Sequence, residues 1–251
     1  MTRARLQFMP STLALLSAIA FAGCNTVPTS TPPADTRPQS SAVQDSVPDR
    51  PFNPSSSQSR NRRGNHATAN SAPGDFDFYL LTLSWSPEYC ATHSGSPECP
   101  SHPGFVVHGL WPENTDGTYP EHCSNAPGPS NPGGLTDLLP TASLVKHEWI
   151  THGTCSGLAA DTYFAAIRTA FHEIHIPATF TGTQQPAMLS PDAILKQFSA
   201  ANPSFPAASF ALSCGNNYLT AVEVCFDKNL HPEACQGVRS CRANAVKITS
   251  R

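Results

Sequence analysis

Charge is scarce in this 251-residue chain, where Asp, Glu, Lys and Arg together make up 13%. Positive charge is scarcest in the C-terminal part. Residues 75–251 carry 8 Lys and Arg against 15 Asp and Glu, a balance of −7 with histidine neutral. Such a segment is a poor starting point for holding a polyanion by charge alone. Long apolar runs are lacking too. The run Leu13 to Ala22, LALLSAIAFA, falls short of the roughly 20 residues that a transmembrane helix needs. No CxxC pair occurs, which removes zinc-finger spacing. No internal repeat is visible.

Cysteine, by contrast, is plentiful. Eight of the nine lie beyond residue 89: Cys90, Cys99, Cys123, Cys155, Cys214, Cys225, Cys235 and Cys241. An even set in one region points to four disulfides and an oxidising compartment. The ninth, Cys24, follows Arg3, Arg5 and the apolar run, which together read as a signal peptide over 1–23. Two processing readings stand. Ala20-Phe21-Ala22 is an A-x-A cleavage site, whereas FAGC resembles a bacterial lipobox that would lipidate Cys24. The second accounts for the odd cysteine. Localisation is then a periplasmic or outer-membrane lipoprotein with a membrane tether, or a freely secreted protein.

Residues 24–74 are dominated by Pro, Ser, Thr, Asn and Gln, with few bulky apolar side chains. Such a stretch cannot bury enough surface to offset the entropy of ordering, so it reads as a disordered linker. Its RNRR run, Arg60 to Arg63, reads as a solvated basic patch. The folded domain is expected over 75–251.

Phe76 to Trp85 and Phe105 to Trp111 read as strands. Alternation in the second places Phe105 and Val107 on one face and Val106 and His108 on the other. Residues 112–134 read as loop. Helices are expected over Ser143 to Gly153 with Gly153 as the stop, from a cap at Asp161 through an apolar stripe of Phe164, Ile167, Phe171 and Ile174, and from Ser190-Pro191 onward. ASFALSC and YLTAVEVCF flank a hairpin turn at Gly215-Asn216-Asn217, and Asn244 to Thr249 is a last strand. Strands at both ends with helices between them make an α+β fold.

Nine of the ten histidines also lie in 75–251. Unperturbed histidine titrates near about 6.5, so acid removes most of the negative balance. Binding of a polyanion should therefore improve at mildly acidic pH.

Two segments concentrate the reactive side chains: FVVHGLWPE, Phe105 to Glu113, and KHEWITHGTC, Lys146 to Cys155. Zinc-protease HExxH helices place their histidines four apart on one face. Here His147 and His152 are five apart, roughly 140° around a regular helix, which disfavours chelation of one ion.

These segments resemble the ribonuclease T2 family. FVVHGLWPE carries its HGLWP motif, and HEWITHGTC its HEWxKHGTC motif, with Thr151 in place of lysine. LSWSPEYC, DGTYPEHC and the C-terminal cysteine spacing extend the resemblance over 76–250. It implies a disulfide-stabilised T2-like fold, a mainly antiparallel sheet with helices packed on it. It implies an endoribonuclease acting on single-stranded RNA, not DNA, as a monomer, with low base specificity. Cleavage would be metal-independent and cofactor-free, by transesterification through a 2′,3′-cyclic phosphate. By analogy His152 is the base, His108 the acid, and Glu148 orients a partner or shapes charge at phosphorus. His147 binds phosphate, and Trp111 and Glu113 contact a base. Disulfides Cys90–Cys99, Cys123–Cys155, Cys214–Cys241 and Cys225–Cys235 are implied as well. Thr151 removes one cation from the phosphorane and leaves open a weakly active or inactive relative that binds RNA or a partner. Lys146 or charged His147 are candidates to compensate.

Overall fold

The computed structural model describes residues 67–68, 71–99, 104–181 and 186–250. The expected signal peptide, Cys24 and the linker up to residue 66 lie outside the described residues.

A six-stranded sheet organises the chain. Its strands are β2 (Phe78–Trp85), β3 (Phe105–Glu113), β5 (Ala187–Leu189), β6 (Phe210–Gly215), β7 (Tyr218–Phe226) and β8 (Val246–Ile248). The order is β3-β2-β7-β8-β5, with β6 also paired to β7. All pairings are antiparallel except a short parallel contact between β7 and β8 at Tyr218 and Lys247. A separate pair joins β1 (Ala67–Thr68) to β4 (Tyr119–Pro120) in parallel. Backbone pairing thus begins ahead of Asp75, inside the stretch expected to be linker. The Gly74 N–H also donates to the Cys155 carbonyl at 2.8 Å.

Alternation along β2 separates two apolar clusters. Tyr79, Leu81, Leu83 and Trp85 join the large core, with side chains from the helices α2 (Ala142–Thr151), α3 (Ala160–His172) and α4 (Pro191–Ala201). Phe78 and Leu80 pack with Trp111 and Cys225 in a smaller cluster. The period-2 pattern sends successive side chains to opposite faces, which accounts for the division.

Several local expectations are revised. Helix α1 (Ser86–Thr92) follows β2 directly, with Pro87 in its first turn, where the missing N–H costs nothing. Within 112–134, Pro112 and Glu113 extend β3, and a 3-10 turn spans Pro132–Leu135. Helix α3 is entered through Ala159, without a side-chain cap, and Asp161 sits in its first turn. There its charge favours the helix N-terminus without bonding to it. Helix α2 ends at Thr151 with His152 as its C-cap, and Gly153 opens a 3-10 turn. Ser190 does cap α4, its Oγ accepting from the Ala193 N–H at 3.2 Å. The hairpin turn places Asn216 and Asn217 at φ 51° and 64°, left-handed values that Asn tolerates well.

Disulfides join Cys90 to Cys99, Cys123 to Cys155, Cys214 to Cys241 and Cys225 to Cys235.

Candidate active site

Strand β3 ends the sheet order, and its pairing with β2 breaks at one point. Thr82 faces Gly109 and Leu83 faces Val107, so His108 is the extra residue of a bulge. A bulge re-aims a side chain without ending the strand. Here it turns His108 out of simple alternation and toward α2. His108 is 1% exposed.

Helix α2 supplies the facing carboxylate. Thr141 caps it, accepting from the Leu144 N–H at 3.2 Å, and Leu144, Val145 and Trp149 anchor it in the core. The Trp149 indole N–H also donates to the Ala126 carbonyl at 3.0 Å. This anchorage presents Glu148, wholly buried, to β3. Glu148 Oε1 lies 3.4 Å from His108 Nε2, and Oε2 accepts from the Trp111 indole N–H at 2.8 Å. Gly109 makes room for that approach. A Cβ there would sit 1.9 Å from Glu148 Oε2 and 2.7 Å from Trp111 Nε1.

Trp111 packs against both motif histidines. Its ring is edge-on to His108, with centroids 5.5 Å apart, and stacked with His152 at 5.1 Å and 29°. His147, half-buried, meets His152 edge-on at 6.4 Å. Because His152 has left the helix as its cap, the angle of a regular helix no longer sets the relation between these two rings. The Cys123–Cys155 disulfide and the bond from the His122 N–H to the Thr151 carbonyl, 2.9 Å, clamp the loop after β3 to the end of α2. The chain segments bearing His108 and His152 are thereby tied to each other.

Burial would push the Glu148 carboxyl up, but it is outweighed. The hydrogen bond and charge of His108, and then the charges of His152 and His147, bring it below the ordinary carboxylate value. Glu148 is thus an anion held among imidazoles. Among the described residues no group of three or more His, Cys, Asp or Glu is arranged to hold a metal ion.

His108, Trp111, His147, Glu148 and His152 converge here. Lys146, exposed on α2, has no hydrogen bond, ion pair or ring contact with them, and Glu113 stands apart. It lies at the far end of β3, opposite Phe78, and is 2% exposed. Trp111 is also buried, its indole engaged by Glu148 and His152. Thr151 is buried at the end of α2, beside the clamp. Two contributors escaped the sequence reading. One is Gly109, hidden inside the motif. The other is Ser84, whose hydroxyl is 3.1 Å from His108 Nδ1. The polar alternation of Thr82 and Ser84 in an otherwise apolar strand was the available signal.

A model of the ribonuclease T2 family matches residues 76–235. The chain is 34% identical over 185 residues to ribonuclease DdI of Dictyostelium discoideum, covering 63% of this chain and 77% of that protein. It is 44% identical over 88 residues to a ribonuclease of Aeromonas hydrophila, covering 34% of this chain and 40% of that protein's length. Its backbone is similar to an RNase-related protein from Calystegia sepium, with a TM-score of 0.57 at 23% identity, covering 68% of this chain and 96% of that one. These likenesses define the class, a ribonuclease. The chain belongs to the ribonuclease T2 family.

Proposed function

We propose that the protein is an exported endoribonuclease that cleaves single-stranded RNA by metal-independent transesterification, with low base specificity. One observation carries the reading. Two histidines from distant stretches of chain, His108 and His152, pack on one indole beside a buried anionic carboxylate. In this scheme His152 takes the proton of the ribose 2′-hydroxyl. The 2′-oxygen attacks phosphorus, the bond to the 5′-oxygen breaks, and His108 protonates that oxygen as it leaves. A 2′,3′-cyclic phosphate remains. The nucleophile belongs to the substrate, so no metal has to create it, and DNA, which lacks it, is inert. His147 holds the phosphate. Glu148 orients His108 and Trp111. A base reaches Trp111 and Glu113 only if the site opens, because both are buried in this state. Export fits the four disulfides, with residues 1–23 as the signal, the stretch from 24 up to the β1 pair at Ala67–Thr68 as a linker, and Cys24 as the lipid attachment point. Mass spectrometry of the mature N-terminus tests that attachment.

The activity test is polyuridine in EDTA at pH 5. Expected products end in 2′,3′-cyclic phosphate. His108→Ala and His152→Ala should each lose about 10²- to 10⁴-fold in kcat. Cleavage that EDTA abolishes, or that survives both substitutions, sinks the reading. RNA retention without cleavage would instead mark a relative disabled at Thr151, and Thr151→Lys would then raise the rate.

A further inference from the structure

Chain ahead of the family-matched span, 76–235, is already fastened to the domain. β1 lies in parallel beside β4, with Ala67 opposite Tyr119 and Thr68 opposite Pro120. The Thr68 hydroxyl donates to the Tyr119 carbonyl at 3.3 Å and is 2.7 Å from Ser71 Oγ. A turn follows, in which the Asp75 N–H donates to the Ala72 carbonyl at 3.0 Å and Gly74 takes φ 88°. Pro73 followed by Gly74 is the central pair that a type II turn favours. The Gly74 N–H meets the Cys155 carbonyl at 2.8 Å, and the Gly74 carbonyl accepts from Lys228 Nζ at 3.1 Å. Gly157 leaves space for this approach, since a Cβ there would lie 3.2 Å from Gly74 Cα. The two ends of the segment therefore land on the two sides of the active-site clamp. β4 leads within three residues to Cys123, and on the way the His122 N–H holds the Thr151 carbonyl at 2.9 Å. Cys155 closes the turn after His152, its N–H donating to the His152 carbonyl at 2.9 Å.

Resting on His108 and His152 as the reacting pair of the proposed function, we propose that the stretch ahead of the matched span, 67–68 with 71–74, is a positioning strap: it joins β4 to Cys155 and so holds the His152 segment to the loop after β3, in parallel with the Cys123–Cys155 bridge. A single covalent tether leaves its two segments able to rotate about it. A second attachment, displaced along both segments, removes that rotation. Restraint of this kind matters because misplacement by about 1 Å can cost 10²-fold in rate. The strap is made of backbone hydrogen bonds, so it acts whether or not the bridge is formed. Chain that composition assigns to a linker is thereby part of the catalytic unit.

The test uses the full-length protein. Ala67→Pro with Thr68→Pro strips β1 of its N–H donors, and Gly74→Pro removes the donor to Cys155. Each is made with the Cys123–Cys155 bridge intact and again with Cys123→Ala and Cys155→Ala. Hydrogen exchange of the His122 amide without substrate, and kcat and KM on polyuridine, are measured for all. With the bridge intact, each strap variant should speed His122 exchange and lower kcat by about 2- to 10-fold, the range that one net backbone hydrogen bond supports. KM should stay within about twofold, as expected of a segment that acts through His152 and not on substrate. Without the bridge, the same strap change should cost at least about threefold more in both measurements, because parallel clamps cover for each other. A strap that only stabilises the fold would shift denaturant unfolding and leave kcat alone. Unmoved His122 exchange overturns the inference, as do strap and bridge effects on kcat that simply multiply. If the bridgeless protein fails to fold, the bridge-intact variants decide by the same exchange and kcat criteria. If wild type itself cleaves no RNA, the ribonuclease reading falls, and the exchange comparison still decides whether the strap clamps.

Discussion

Strand β2 has two neighbours, and they treat it differently. On one side β7 pairs with it from Tyr79 through Ser84 without a shift. On the other, β3 pairs along its whole length but slips by one residue at His108. The regular side buries Val222, Val224 and Phe226 in the large core. The slipped side holds a histidine, a carboxylate, an indole N–H and a glycine whose missing Cβ leaves room for that carboxylate. Both sides are closed by a disulfide, from Cys225 of β7 to Cys235 and from Cys123, after β4, to Cys155. Regular pairing here serves stability. The irregularity is confined to the strand edge where polar groups must meet, as expected when local rules are broken at a functional site.

Removing each disulfide should separate the two roles most strongly. Cys225→Ala with Cys235→Ala, and Cys123→Ala with Cys155→Ala, should each cost about 2–5 kcal/mol in denaturant unfolding. Only the second pair should also lower kcat in the protein that remains folded, because only that bridge ties the His108 and His152 segments together. Equal kcat losses from both pairs would erase the distinction.

Next in size is Glu148→Gln, which keeps the shape and removes the charge. Losing the charged hydrogen bond from Trp111 and the ion pair with His108 should cost about 1.5–3 kcal/mol at neutral pH. The sign of its pH dependence follows from the depressed carboxyl. Wild type holds the advantage above the ordinary carboxylate value of 4.5. It loses the advantage as pH falls through the lower, folded value. Unfolding curves of the two proteins should converge at strongly acidic pH. A gap that stayed constant down to that pH would mean that Glu148 is held neutral.

Gly109→Ala is smaller in stability, about 1–3 kcal/mol for forced overpacking. Its effect on rate should still be near 10²-fold, since the carboxylate must move by about an ångström and its neighbours follow. The parallel change on the regular side, Val222→Ala, should destabilise by about 2 kcal/mol or more without a matching rate loss. Similar kcat in Gly109→Ala and wild type would show that Glu148 adapts freely.

Much of this was legible in sequence, and the exceptions have physical causes. The strands, the hairpin at Asn216-Asn217 and the cap at Ser190 follow from period and turn chemistry, which are local. The bulge at His108 is not local. Strict alternation sets that residue on the face away from Val107, yet nothing in FVVHGLWPE says that one residue is surplus, because register depends on the partner strand. Helix α1 escaped because seven residues carry too little periodicity to register. Strand β5 escaped because its three residues, Ala187–Leu189, are largely exposed. The helix end was misplaced by two residues because Gly153 is a stronger stop signal than His152. The convergence of Glu148 with Trp111 through a gap that only Gly109 leaves is a tertiary fact, and the motif contained its parts without their arrangement.

The smallest expected effect tests whether β2 itself takes part on its irregular side. Ser84 lies between Ala221 of β7 and Val106 of β3, yet its hydroxyl is committed to His108 Nδ1. When the ring is charged, Nδ1–H donates to the Ser84 oxygen and fixes the ring's rotation. Ser84→Ala removes that bond and nothing else of size, worth about 0.5–1.5 kcal/mol, which corresponds to a fall in kcat of roughly 2- to 10-fold. Ser84→Thr keeps the hydroxyl and should restore most of the rate. Thr82→Val, two residues back on the same face but opposite Gly109 and Glu223, serves as the control and should leave kcat alone. If Ser84→Ala matched wild type, ring orientation would rest on Glu148 and Trp111 alone, and β2 would be scaffold on both of its edges.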